Sequence, residues 1–378
     1  MKKAFHILAA MLTSSFAFAQ EEEAAAPPAT TWGGSADAYY KYDFSKQMNG
    51  LTSFTNSQNS FELGMASIEA GHTFGKASVF VDLGFGKRAA EFSYNETPDK
   101  DASAKFLIKQ LYFTYNVTDE FKFVAGSFGT HIGYEVLDAV DNKNYSMSYA
   151  FSYGPFFNTG VKAQYTSGHF TAMLGLTNPT DFKSAMDAGS YQKTFIGQLG
   201  YIGETGSAYL NFTTGSTNPI PGSIIPVSDE NKTQFDLTAS KTISDSFGLG
   251  LNATYAKTTN DFDSALDGEW FSVVGYANYS FSPSLLLAYR IEYFDAKDAA
   301  PSMGTLTGSS VFANTVSLNY KVGKLTIKVL HTPGHTLESS TFLLKDENGI
   351  LYFGGYEGLN YFDPSNLKKR RMNSSPKT

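Results

Sequence analysis

From residue 106 the chain reads FLIKQLYFTYNV, with Leu107, Leu111, Phe113, Tyr115 and Val117 on one parity and Gln110, Tyr112, Thr114 and Asn116 on the other. Such alternation gives a strand one apolar and one polar face. Lys109 falls on the apolar parity, which signals a bulge at that point. A turn at 118–120 leads into a second strand at 121–128. The same unit of two strands joined tightly recurs at 61–74 with 76–86, 158–165 with 170–178 and 195–202 with 207–214. It recurs again at 233–241 with 247–257, 270–281 with 285–294 and 309–322 with 325–330. A single strand, 32–44, precedes them all. Its apolar parity carries Trp32, Ala36, Ala38, Tyr40 and Tyr42, and its polar parity Asp37, Lys41 and Asp43.

The connections follow a rule of their own. Short turns alternate with polar stretches at 45–60, 87–105, 129–157, 179–194, 215–232, 258–269 and 295–308. Short turns at one end and long loops at the other are the wiring of an outer-membrane barrel. A soluble sandwich or propeller has no reason to keep that alternation. Fifteen strands are legible, and an even count places a sixteenth near 340–344. The expected fold is all-β: a transmembrane antiparallel up-and-down β-barrel of about 16 strands, wide enough for an aqueous channel. The stretch 129–157 is too long for a simple connection between paired strands. We expect it to fold into the lumen.

The chain's start changes the picture by adding export. Lys2 and Lys3, the apolar run 4–16 and the Ala17-Phe18-Ala19 site make 1–19 a secretory signal. Residues 20–31 then read as a flexible periplasmic lead, 32–345 as the barrel and 346–378 as an atypical extension. No later run reaches the roughly 20 apolar residues of a membrane-crossing helix. Aromatic residues nevertheless make up 15% of the chain, as a wall divided between lipid and water requires. Net charge −7 argues against nucleic acid, and zero cysteine against a disulfide-stapled fold.

Charge inside the barrel is the candidate chemistry. By parity Asp37, Asp43, Asp82, Lys162, Arg290 and Glu292 point inward, and the long loop adds Glu135, Asp138, Asp141 and Lys143. Loop carboxylates facing wall cations would form a constriction whose field orients polar solutes. No grouping of Ser, His and Asp has local support. Gly84-x-Gly86 and Gly248-x-Gly250 lie in strands with no following helix to bind a dinucleotide. The sequence therefore reads as no enzyme, with no cofactor and no metal.

The stretches HIGYEVLDA, NKNYSMSY and FSYGPFFNTGVKA resemble the signature of the β-barrel porin-2 family of Gram-negative outer membranes. Tyr134, Tyr145, Tyr149, Gly154, Pro155 and Phe156 stand in the family's order. The resemblance runs from about residue 32 to 328. It implies an outer-membrane porin passing small hydrophilic solutes and ions by diffusion. The alternative from another class is a structural or adhesive barrel without an open pore. Expected partners are the outer-membrane bilayer, small hydrophilic solutes, the barrel-insertion machinery and, in a homotrimer, further copies of the chain.

Beyond that point the character changes. Residues 327–349 resemble a strand-loop-strand piece of the metallo-β-lactamase superfamily, in which the second histidine of HTPGH, here His335, is a metal ligand. The H-x-H-x-D-H motif that completes such a centre is absent, and none of the six histidines forms an H-x-H pair. Too few ligands remain for metal chemistry. Residues 348–369 resemble one repeat of the sensor propellers of two-component regulators, and a lone blade cannot bury its faces. The C-terminus reads as a composite of foreign pieces.

Overall fold

The computed structural model describes residues 29–94, 107–216, 229–323, 325–331 and 340–343. The signal segment, most of the lead, His335 and the stretch 346–378 lie outside the described residues. Sixteen antiparallel strands close into a barrel in sequence order, the last pairing with the first. They are β1 (Ala29–Tyr42), β2 (Ser60–Phe74), β3 (Ala77–Phe85), β4 (Ile108–Asn116), β5 (Phe121–Gly129), β6 (Phe157–Ser167), β7 (Phe170–Thr177) and β8 (Thr194–Gly203). The second half runs β9 (Gly206–Ser216), β10 (Glu230–Thr242), β11 (Phe247–Asn260), β12 (Gly268–Ser282), β13 (Leu285–Ala296), β14 (Ser309–Val322), β15 (Leu325–His331) and β16 (Ser340–Leu343). The sixteenth strand thus lies where the even count placed it. It is four residues long and joins Tyr40–Tyr42 of β1 to Lys328–His331 of β15.

The boundary between lead and barrel differs from the sequence reading, and register shifts mark the wall. β1 starts at Ala29, so residues 29–31 belong to the wall and the lead is shorter than 20–31. The cause is pairing: β2 continues to Phe74 and offers Gly71, His72 and Thr73 to Thr31, Thr30 and Ala29. In β4, Asp82 pairs with Gln110 and Leu83 with Ile108, which leaves Lys109 as the extra residue of a bulge. That extra residue turns Lys109 from the lipid parity into the lumen, where it is buried. A second irregularity sets Asp37 of β1 against Gly64 and Met65 of β2.

Elsewhere alternation sorts residues as two solvents demand. Phe113, Tyr115, Leu174, Leu199 and Leu210 stand outside, while Asn211, Ser272, Ser317 and Asn319 are buried inside. An apolar exterior with a polar interior inverts a soluble protein and suits a bilayer. The tight turns need special backbone: Gly168 adopts φ +57, a left-handed conformation favouring glycine, between β6 and β7. Long loops leave from the other end. The second carries helix α1 (Lys87–Phe92), the third helix α2 (Tyr149–Tyr153) and the fourth helix α3 (Ala185–Ala188). The third loop, residues 130–156 and called L3 below, enters the barrel.

Candidate functional site

L3 crosses the lumen and is fastened to strands on both sides. At its start the His131 ring bonds the Phe212 carbonyl of β9 at 2.9 Å, and Gly133 N donates to Asp236 of β10 at 3.0 Å. Asp236 also accepts from Asn211 and Asn252, so this buried carboxylate is held by N–H donors. The Tyr134 ring stacks on Tyr276 of β12, centroids 4.3 Å apart. The niche it fills exists because position 250 has no side chain: a Cβ there would stand 2.5 Å from the Tyr134 hydroxyl.

Glu135 is the first knot. Its Oε1 accepts from Arg290 of β13 at 2.6 Å, and its Oε2 accepts from Ser148 N and Oγ, both at 2.7 Å. Arg290 also donates to the carbonyls of Ser146 and Met147 and to Thr315 of β14. One guanidinium therefore gathers both limbs of the loop. Beside it Glu292 accepts from the Tyr149 and Ala150 N–H groups at 2.9 and 2.8 Å and from Ser272. Those N–H groups begin helix α2, where backbone donors are free and negative charge is favoured.

A second knot forms on the opposite wall. Lys109 lies 2.8 Å from both Asp82 of β3 and Asp138 of L3, and donates to Ser67 of β2 at 2.7 Å. Ser35 of β1 and Ser67 also donate to Asp138. Further round, Tyr145 donates to Asp37 at 2.5 Å, and Lys328 of β15 donates to the carbonyls of Ala139 and Asn142. Ser317 and Asn319 of β14 bond Asn144 and the Lys143 carbonyl. The Arg88 guanidinium of α1 lies 4.9 Å from the rings of Phe54 and Tyr145 and donates to the Leu137 carbonyl.

Each residue selected from the sequence can now be placed. Glu135 and Arg290 meet directly, as do Asp138, Asp82 and the unselected Lys109. Asp37 and Glu292 hold L3 through a tyrosine hydroxyl and backbone N–H groups. Asp141 follows Asp138 in a turn closed by its N–H to the Asp138 carbonyl, and Asp43 bonds Ser45 just beyond β1. Lys162 stands apart from all of these, its ammonium 4.0 Å from the centre of the Phe128 ring. Where loop carboxylates meet wall cations, at Glu135–Arg290 and Asp138–Lys109, they are in direct contact. On the turn side of L3 a cavity of about 180 Å³ opens between Tyr134, Asn144, Lys143, Tyr209, Tyr276 and Asn278, among others.

Sequence reasoning passed over Lys109, Arg88, Asp236, Lys328 and His131. Parity alone marks Asp236 and Lys328 as inward, and the bulge warning pointed to Lys109. Arg88 and His131 lie in loops, where periodicity carries no information.

His131 yields a pH prediction. Burial, with Lys162 nearby, pushes its ring down to about 4, against the carbonyl of Phe212 that favours charge. A released loop would let the ring titrate near its ordinary value of about 6.5. The docked form is then the poorer proton binder, so docking weakens as pH falls from about 6.5 towards 4, by up to about 3 kcal/mol. Channel recordings should become noisier between neutral and acidic pH, and His131→Gln should remove that dependence. Equal noise at both pH values in the parent protein would refute a neutral, docked ring.

Solved structures of similar shape are outer-membrane proteins. The anion-selective porin from Comamonas acidovorans superposes with a TM-score of 0.53 at 12% identity, over 84% of this chain and 98% of that one. OmpT of Vibrio cholerae gives 0.53 at 13%, over 86% and 98%. The outer membrane channel DcaP of Acinetobacter baumannii gives 0.52 at 11%, over 87% and 99%. At such identities the likeness is one of fold. No curated protein matches the chain. The family model described as "Putative beta-barrel porin-2, OmpL-like" matches residues 29–330, a slightly longer span than the resemblance first read from the sequence. A closed barrel of sixteen strands, polar within and crossed by an inward-folded loop, carries that match, and the chain belongs to this family of outer-membrane porins.

Proposed function

We propose that small hydrophilic solutes and ions diffuse through the lumen past L3, and that the charged groups fastening the loop set the size and field of the narrowest passage. The observation that carries this reading is the fastening itself: a loop tied to β1–β4 and to β9–β15 is a fixed obstruction inside a polar tube. Glu135, Asp138, Asp141, Lys143, Lys162, Arg290, Glu292, Asp37 and Asp82 are the residues we assign to that passage. Passive diffusion needs no reacting constellation, and we read the chain as a channel without enzymatic activity. Export with removal of residues 1–19, insertion by the barrel machinery and assembly as a homotrimer complete the proposal.

The density of the same contacts favours one competing reading, a barrel closed by L3 that acts through its external loops. Conductance in planar bilayers separates the two. Steady ohmic steps support the pore, and their absence at proven insertion supports the closed barrel. Deleting residues 138–148 sharpens the test, since it removes the loop's tip but leaves Glu135 for Arg290 and Asp82 for Lys109. Conductance should rise in the deletion. An unchanged value in a correctly folded variant would place the narrowest point elsewhere.

A further inference from the structure

Gly200 of β8 and Gly248 and Gly250 of β11 stand on the lumen face with backbone outside the left-handed region. Conformation does not require glycine there, so what these positions supply is room. Two of them seat a tyrosine ring. A Cβ at 200 would lie 2.6 Å from the Tyr209 ring, and one at 250 would lie 2.6 Å from Cζ of Tyr134. Gly248 seats no ring of the protein: a Cβ there would meet nothing nearer than the Lys241 carbonyl oxygen at 3.7 Å. It opens into the cavity of about 180 Å³ on the turn side of L3.

The groups nearest Gly248 are neutral and polar. Asn278 of β12 pairs with it on one side and Thr242 of β10 on the other. The Asn278 amide bonds nothing among the described residues, although it lines the cavity. One step deeper, Ser240 and Ser207 join their hydroxyls at 3.0 Å. Tyr209 and Tyr276 border the cavity from β9 and β12, three strand spacings or about 14 Å apart across the sheet. Charged residues reach the cavity with both signs, Asp141 and Glu204 against Lys143, and a field of mixed sign selects no single charge of solute.

Hydroxyls and amides both donate and accept, as the hydroxyls of a sugar do. An apolar cavity of about 150 Å³ takes a benzene ring, so this one admits a single six-membered ring. We propose that the hollow over Gly248 is a subsite for the neutral pyranose ring of a sugar. Its CH face lies on the wall at Gly248 as the tyrosine rings lie at Gly200 and Gly250, and its hydroxyls bond Asn278, Ser240 and Ser207. This rests on the pore reading above and names the solutes that the pore favours.

The test is block of single-channel current in a planar bilayer by glucose, with tetraethylene glycol as a neutral solute of similar mass and no ring. In the parent channel current should fall along a saturating curve with glucose, and only in proportion to viscosity with the glycol. Asn278→Ala should raise the half-blocking glucose concentration about fivefold, the worth of one hydrogen bond. Gly248→Leu fills the hollow and should raise it by about tenfold or more. A heat-modifiable gel shift confirms that each variant is folded. Equal, unsaturated decline with both solutes, or an unchanged half-blocking concentration in either folded variant, would overturn the sugar subsite while the pore stands. Folded, inserted protein that never conducts would overturn both.

Discussion

Replacing Arg290 with alanine should release L3 without unfolding the barrel. The guanidinium holds Glu135, the Ser146 and Met147 carbonyls and Thr315, all in a buried setting. Removing one partner of a buried pair costs about 3–5 kcal/mol, because the charge left behind has lost its water and gained nothing. Two loop carbonyls lose their donor as well. The strand ladder around position 290 is intact in the variant, since Arg290 pairs through its backbone with Tyr276 and Thr315. The expected result is larger, noisier current steps and protease cleavage within 134–148, with the gel shift retained. Glu135→Met/Arg290→Met should recover quieter channels, because an apolar pair of similar volume is often neutral where a lone charge is not. The double-mutant cycle then gives the pair's coupling. Silent, protease-resistant channels in Arg290→Ala would show that L3 is held chiefly by other contacts.

The wall was legible from sequence because its physics is local. A strand between lipid and water must alternate, and 309–322 or 285–294 announce themselves on parity alone. The loop's inward fold was legible from length. What parity cannot supply is the partner. Tyr145 meets Asp37 across 108 positions, and Arg290 meets Glu135 across 155; which groups meet depends on the register summed around the barrel. A one-residue bulge shows the same limit at small scale. Lys109 sits on the lipid parity by count, yet the irregular pairing with β3 delivers it to Asp82 and Asp138. That Glu135 touches Arg290 and Asp138 touches Lys109 was not legible for a related reason. A buried charge without a close partner is costly, and the loop settles where its carboxylates find N–H and ammonium donors.

The two faces of β4 give the sharpest contrast available in one strand. Phe113 is 58% exposed and pairs with Val79 of β3 and Ala125 of β5 on the outer surface. Thr114, the next residue, points inward and pairs with Ser78 and Val124. An arginine at 113 must carry its charge into hydrocarbon four residues from the turn, at a cost of about 2–4 kcal/mol near the bilayer midplane. The same arginine at 114 points into the lumen beside Val124, on the face that holds Lys122 and Lys162. Phe113→Arg should therefore reduce the folded fraction in lipid and lower the temperature of the gel shift. Thr114→Arg should fold as the parent does and raise the anion-to-cation permeability ratio. If both variants lost stability equally, the lumen at Thr114 would be too tightly filled for a solvated side chain. If neither lost stability, Phe113 would not face lipid, and the register that places every other lipid and lumen residue of β3–β5 would have to move by one.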